Sequence, residues 1–271
     1  MKAMRSPIYM HRIPFMQLAL FCVLLVLAGC KPADSAVRDQ TEIVISAASS
    51  LASVMDEIKT LYESGHPAVR LKMNYGGSGG LQRQIEQGAP VHLFLSAGEQ
   101  HTQALIDKGL IEEIQVLAAG KLVAIVHADS GLVLQSAEDL TQAAVGRLAI
   151  GEPDLVPAGF YARQSLQYHS LWDDVQAMLI YTKDVRQALH YVESGNADAA
   201  YVYETDAANA SKVRIAYYAD SASHPPIIYP AGLVKGSGDR EEALRFLRFL
   251  VEEEAQQVFR KHGFHIPRMG G

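Results

Sequence analysis

Apolar positions along this chain recur with two periods, and the switches between them divide it into strands and helices. Val69, Leu71, Met73 and Tyr75 alternate with polar neighbours and predict a strand; Gly76 and Gly77 break it. Leu81 and Ile85, a turn apart, then predict a helix with Ser78 near its start. Upstream, Ile43 to Ala47 reads as a short buried strand, followed by a helix on Leu51, Val54, Met55, Ile58, Leu61 and Tyr62 with Ser50 as its N-cap. Downstream, a strand at Val91 to Ser96 leads to a helix from Glu99 to Lys108, closed by Gly109.

A second series begins near Gly120, where the apolar run Lys121 to His127 has no helix immediately ahead of it. Strands follow at Leu148 to Gly151, Met178 to Tyr181, Ala199 to Tyr203, Val213 to Tyr218 and Ile227 to Val234. Between them lie a helix carrying Phe160, Ala162, Leu166 and Tyr168, and another that Asp184-Val185-Arg186-Gln187 opens as a capping box and that runs to Ser194. Helices at Arg240 to Leu250 and Glu252 to His262 end the pattern, the latter stopped by Gly263. Alternating strands and helices predict an α/β architecture with mostly parallel sheets. The change near Gly120 and the break at His224-Pro225-Pro226 divide it into two lobes: residues 41–122 with 226–271 form the first, and residues 123–225 form the second, inserted between them.

The first 29 residues stand apart. Lys2, Arg5 and Arg12 precede an apolar run from Phe15 to Ala28, the pattern of a secretory leader and too short for a convincing membrane span. Its end, Leu27-Ala28-Gly29-Cys30, resembles the bacterial lipobox, which implies cleavage before Cys30, lipidation of its sulfur and anchoring outside the cytoplasm. Cys22 lies inside the leader, so the mature chain offers Cys30 no disulfide partner. Residues 30–40, small and polar around Pro32, read as a tether.

Composition narrows the function. Of 24 basic residues three lie in the leader, so the mature chain sets 21 against 30 acids, a poor balance for binding nucleic acid. An anion held here is held by local dipoles, since the overall field opposes it. Four places pair a small or capping residue with the end of a strand and the start of a helix: Ser49-Ser50, Ser78, Pro157-Ala158 and Asp184-Val185. In open α/β sheets that edge is where ligands bind. Each helix start offers unpaired N–H groups and a partial positive charge. Tyr203, at the end of its strand, adds a hydroxyl.

The blocks AASSLASVMDEI, GGSGGLQRQIEQGAPVHLFLSA, GEPDLVPAGFYARQSL, DVRQALHYVESGNADAAYVYETDA and VFRKHGFHIP resemble the periplasmic molybdate-binding proteins of ABC transporters, in that family's order and over nearly the whole mature chain. The resemblance implies a two-lobe Venus-flytrap clamp that captures molybdate, with tungstate as its congener, and delivers it to a membrane permease. It implies no enzyme activity, no cofactor, no metal other than the molybdenum of the oxyanion, and a monomer. Carried over, the ligand contacts fall on the hydroxyls and amides of Ser50 and Ser78, the amides of Ala158 and Val185, and the hydroxyl of Tyr203. Two departures stand out. Gly76, Gly77, Gly79 and Gly80 replace a serine-rich run of some relatives, and Glu204 stands where a small residue is common, an acceptor that would tolerate a protonated oxyanion such as hydrogen phosphate. Arg83, Lys183 and Arg186 read as rim charges.

The sequence also admits two alternatives. The same clamp takes sulfate, phosphate or a small organic anion; or Gly76-Gly77-Ser78-Gly79-Gly80, which also fits G-x-S-x-G, makes Ser78 the nucleophile of an esterase with Asp206 or Asp239 and His262 or His265 as partners.

Overall fold

The computed structural model describes residues 40–142 and 145–267. The leader, Cys30 with its expected lipid, and the tether up to residue 39 lie outside the described residues. From the first described residues the chain runs β1 (Thr41–Ala48), α1 (Ala52–Gly65), β2 (Val69–Gly76), α2 (Ser78–Glu86), β3 (Leu93–Leu95), α3 (Glu99–Asp107), β4 (Ile111–Gly120) and β5 (Leu122–His127). It continues through α4 (Asp139–Gln142), β6 (Leu148–Gly151), α5 (Pro157–Tyr168), α6 (Trp172–Val175), β7 (Leu179–Thr182), α7 (Val185–Glu193), β8 (Ala199–Tyr203) and α8 (Glu204–Ala208). β9 (Val213–Tyr218), β10 (Ile227–Val234), α9 (Arg240–Phe249) and α10 (Glu253–Lys261) complete it.

The strands form two five-stranded sheets, ordered β2-β1-β3-β10-β4 and β7-β6-β8-β5-β9. In the first, β1 runs parallel to β2 and β3, whereas β10 is antiparallel to both β3 and β4. The second repeats this with β6 parallel to β7 and β8, and β5 antiparallel to β8 and β9. Each sheet is therefore mixed, with four strands pointing one way and one reversed. The reversed strands, β5 and β10, are the ones the chain makes directly after crossing from one sheet to the other. A crossing strand enters its new sheet from the side where the sheets meet, while the parallel strands end there; Leu122, the first residue of β5, accordingly pairs with Tyr203, the last of β8.

The apolar patterns become two faces of core. Ile43, Ile45 and Ala47 of β1 and all of Leu122 to Val126 in β5 are buried. Val54, Met55, Ile58 and Tyr62 cover the first sheet as one stripe of α1, and Ala243, Phe246 and Leu247 do so from α9, while Ala255, Val258 and Phe259 are the buried stripe of α10, which packs on α1. β4 has no counterpart among the expected strands. It lies at a sheet edge and carries an extra residue, Glu113, at φ 51°, so its inside and outside positions lose the regular alternation that identifies a strand.

One close approach in the second lobe positions a helix end. A Cβ on Gly159 would lie 1.8 Å from the Gly151 carbonyl oxygen. Two glycines thus let the first turn of α5 sit against the last residue of β6.

Candidate functional site

The first lobe presents two serines, each at the end of a strand. After β1 the chain tightens into one 3-10 turn, Ser49–Leu51, before α1 begins at Ala52, with Leu51 in the capping position and no side-chain cap. Ser50 is therefore not the N-cap of α1; the tight turn carries its side chain away from the orphan amides. Its hydroxyl is buried without a hydrogen-bond partner. The Tyr229 hydroxyl, close to it, is likewise buried without a partner. After β2, Gly77 stands extended ahead of α2, and Ser78 is the first helical residue, fully buried. Ser78 Oγ accepts the Ala97 N–H at 3.2 Å, which leaves its own proton to donate.

The second lobe contributes helix starts and a phenol. Pro157 occupies the first turn of α5, and Ala158 follows it. α7 begins at Val185 behind Asp184, whose carboxylate accepts the Gln187 N–H at 2.9 Å as the capping box predicts. The Gln187 side chain reaches back one residue further than expected, accepting from Lys183 N at 2.9 Å. In a first turn the amides of Ala158 and Val185 have no acceptor within their own helix. Tyr203 ends β8, and its hydroxyl donates across the cleft to the Ala97 carbonyl at 3.2 Å. Burial drives the Tyr203 pKa well above that of a free phenol, so the group remains a donor at any physiological pH.

Ser50, Ser78, Ala158, Val185 and Tyr203 line one cavity, together with Ala48, Ser49, Gly76, Gly77, Ala97, Val156 and Pro157. No charged residue is among these. The cavity is small, about 10 Å³. The lobes are shut around it. Besides the Tyr203 bond, the Gly79 N–H donates to the Leu155 carbonyl at 2.7 Å, and Arg186 donates to Ser53 of the first lobe. One of the α2 amides that the sequence offered as an anion donor is thus engaged by the opposite lobe. Ala97 was not anticipated, although it also follows a strand, β3, at the edge where ligands bind.

Glu204 does not stand in the cavity. It turns outward, accepting from the Tyr218 hydroxyl at 2.8 Å and pairing with His265 at 3.2 Å and Lys121 at 3.8 Å. Burial opposes its charge, but these partners together hold its carboxyl below the usual range. The residue that does face inward is Asp206, two positions on. With Ser50, Ser53, Thr205, Asn209, Arg186 and others it lines a second, larger cavity of about 340 Å³. Its Oδ2 has no partner, and burial pushes its pKa up to about 7 against the opposing charge of Arg186. Ser50 borders both cavities.

The triad that the esterase alternative requires is not assembled among these residues. His262 pairs with Glu57 at 2.9 Å and His265 with Glu204, while the one hydrogen bond of Ser78 Oγ is with the Ala97 amide. Asp239 precedes α9 at φ 46°. His101 of α3 sits against the glycine turn, its Cε1 2.9 Å from where a Cβ on Gly79 would lie. Gln82 donates to Glu86 and so presents its carbonyl oxygen to His101 Nδ1 at 2.7 Å, which makes Nδ1 the protonated nitrogen. Nε2 is buried without a partner, and burial lowers the imidazole pKa to about 4.

Two α/β lobes joined by two crossings and shut on an uncharged cavity at several helix starts define a clamp-type receptor for a small solute. The comparisons agree. Residues 43–265 match the family of bacterial extracellular solute-binding proteins, and the chain belongs to it. Among its relatives, a putative ABC transporter substrate-binding lipoprotein of Bacillus subtilis, YvgL, is 40% identical over 251 residues, covering 91% of this chain and 96% of its own length. The molybdate-binding protein ModA of Escherichia coli is 32% identical over 240 residues, 86% of this chain and 93% of that protein. Among solved structures, the substrate-binding domain of a putative molybdenum ABC transporter from Clostridium difficile superposes with a TM-score of 0.64 at 38% identity, covering 84% of this chain and all of that one. The periplasmic molybdate-binding protein of Azotobacter vinelandii, at 22% identity and a TM-score of 0.75 over 83% of this chain, shares the fold. Among the described residues no helix is long and apolar enough to cross a membrane.

Proposed function

We propose that this chain captures molybdate, and tungstate with it, between its lobes and delivers it to an ABC-transporter permease. One observation carries the reading: the cavity is lined by no charged residue, is bordered by groups from both lobes that can donate, and contains the Ser50 hydroxyl, buried without a hydrogen-bond partner. A tetrahedral dianion presents only acceptors, so a site of neutral donors satisfies it and leaves no polar group unpaired. Ser50 and Ser78 act through their hydroxyls, Ala158 and Val185 through amides at positive helix ends, and Tyr203 through its phenol. Neutral donors also let the ion go, which full pairing with Arg or Lys would slow. The names of the curated relatives support the cargo. The process is reversible binding without bond making or breaking, by a monomer held outside the cytoplasm by lipid on Cys30.

Thermal shift with molybdate, tungstate, sulfate and phosphate tests the reading. A ligand bound only by the folded state stabilises it by about 4 kcal/mol at a thousand times its Kd. Molybdate and tungstate are expected to raise the melting temperature and the smaller sulfate and phosphate to do so much less, because fixed donors cannot follow a shrinking tetrahedron. Equal shifts by all four would remove the selectivity; no shift with any would remove the oxyanion.

A further inference from the structure

The glycines around Ser78 face the opposite lobe unequally. A Cβ added to Gly77 would lie 2.7 Å from the Lys183 carbonyl oxygen, 3.1 Å from Val156 Cγ2 and 3.3 Å from the Leu155 carbonyl oxygen, all three in the second lobe. One on Gly79 would lie 2.8 Å from Leu155 Cα and 2.9 Å from its carbonyl oxygen, and also 2.9 Å from His101 Cε1 in its own lobe. Gly80, next along the same helix, would meet nothing within 4 Å. The hydrogen bond from Gly79 N to the Leu155 carbonyl confirms that the first turn of α2 is pressed onto second-lobe backbone. Backbone cannot move aside as a flexible side chain can, and closely packed contacts do not absorb an added methyl without displacement.

From this contact we propose that Gly77 and Gly79 set how far the clamp shuts, as positioning residues that let the lobes meet backbone to backbone. The proposal rests on the reading of the chain as a clamp for a small oxyanion. A methyl group at either position wedges the lobes apart, so that Ala158 and Val185 stand off from Ser50 and Ser78, and a guest meets donors of one lobe at a time. The run Gly76 to Gly80 then divides by role: Gly77 and Gly79 serve closure, and Gly80 is indifferent to it.

Small-angle scattering and molybdate calorimetry on the mature chain separate the possibilities, using Gly77→Ala, Gly79→Ala and Gly80→Ala beside the wild type. Circular dichroism and ligand-free melting check the fold. Should Gly79→Ala fail to fold because of His101, Gly77→Ala decides alone, since its contacts lie in the second lobe. Gly77→Ala is expected to keep a larger radius of gyration with molybdate and to bind it at least tenfold more weakly, while Gly80→Ala contracts and binds as the wild type does. A Gly77→Ala chain that contracts and binds like the wild type overturns the inference. If the wild type does not bind molybdate, the cargo is wrong, and the radii are compared with whichever of tungstate, sulfate or phosphate contracts it: a Gly77→Ala chain that stays larger upholds the inference, one that contracts as far as the wild type overturns it, and a wild type that none of them contracts removes the clamp and the inference with it.

Discussion

Replacing Ser50 by alanine should move stability and affinity in opposite directions. In the shut structure Ser50 is 6% exposed and its hydroxyl has no hydrogen-bond partner within the protein. Leaving such a group unpaired costs about 1–3 kcal/mol, so removing it lifts a cost rather than breaking a contact. The melting temperature of ligand-free Ser50→Ala should stay level or rise by a few degrees, at about 2–4 °C per kcal/mol for a body of this size. With the oxyanion bound, the same hydroxyl faces a charged acceptor, a bond that contributes about 1.5–3 kcal/mol, so the Kd for molybdate should rise by about ten- to a hundredfold. Ser78→Ala is the contrast. It deprives the Ala97 N–H of its acceptor inside the protein, so it should lower both the melting temperature and the affinity. Differential scanning calorimetry without ligand and isothermal titration with molybdate measure the two quantities. A Ser50→Ala chain that melts earlier and binds molybdate as tightly as the wild type would show that the hydroxyl serves the fold and not the guest.

Three further outcomes follow from the same contacts. Tyr203→Phe removes the bond to Ala97 across the cleft and one proposed donor, so molybdate affinity should fall at least tenfold; in the wild type it should not change where a free phenol ionises, near pH 10, because Tyr203 stays protonated. Titrations from pH 7 to pH 10 check this. Gly159→Ala places a methyl 1.8 Å from the Gly151 carbonyl oxygen, and the helix start that carries the Ala158 amide must back away from β6. Unfolding in urea should show a loss of about 3 kcal/mol, the upper end for overpacking, and molybdate binding should weaken with it. Asp206 keeps its proton to about pH 7 when folded, against about pH 4 in the unfolded chain. Between those values the native state holds the extra proton, so stability falls as pH rises from 4 to 7, by on the order of 4 kcal/mol in all. Asp206→Asn should flatten that slope, and melting curves across the pH range would refute the assignment if both chains declined alike.

The strand and helix pattern was legible because buried faces repeat at fixed periods, and the helix starts were legible because Pro157 and the Asp184-Gln187 pair carry local signals that act within four residues. The same local rules picked out Ser50, Ser78, Ala158, Val185 and Tyr203, since a residue between a strand end and a helix start is recognisable without knowing what lies opposite. What lies opposite was decided by the tertiary structure alone. That β4 and β5 point into different sheets, that β5 and β10 are reversed, and that Glu204 turns outward while Asp206 turns in all depend on where the chain crosses between lobes. Ser50 shows the limit most clearly: a serine before a helix reads as a cap by propensity, yet the 3-10 turn between β1 and α1 makes it a free hydroxyl in a cavity. The glycines of α2 show the same limit, because in sequence Gly77, Gly79 and Gly80 are alike. Only the second lobe, packed against two of them and clear of the third, tells them apart.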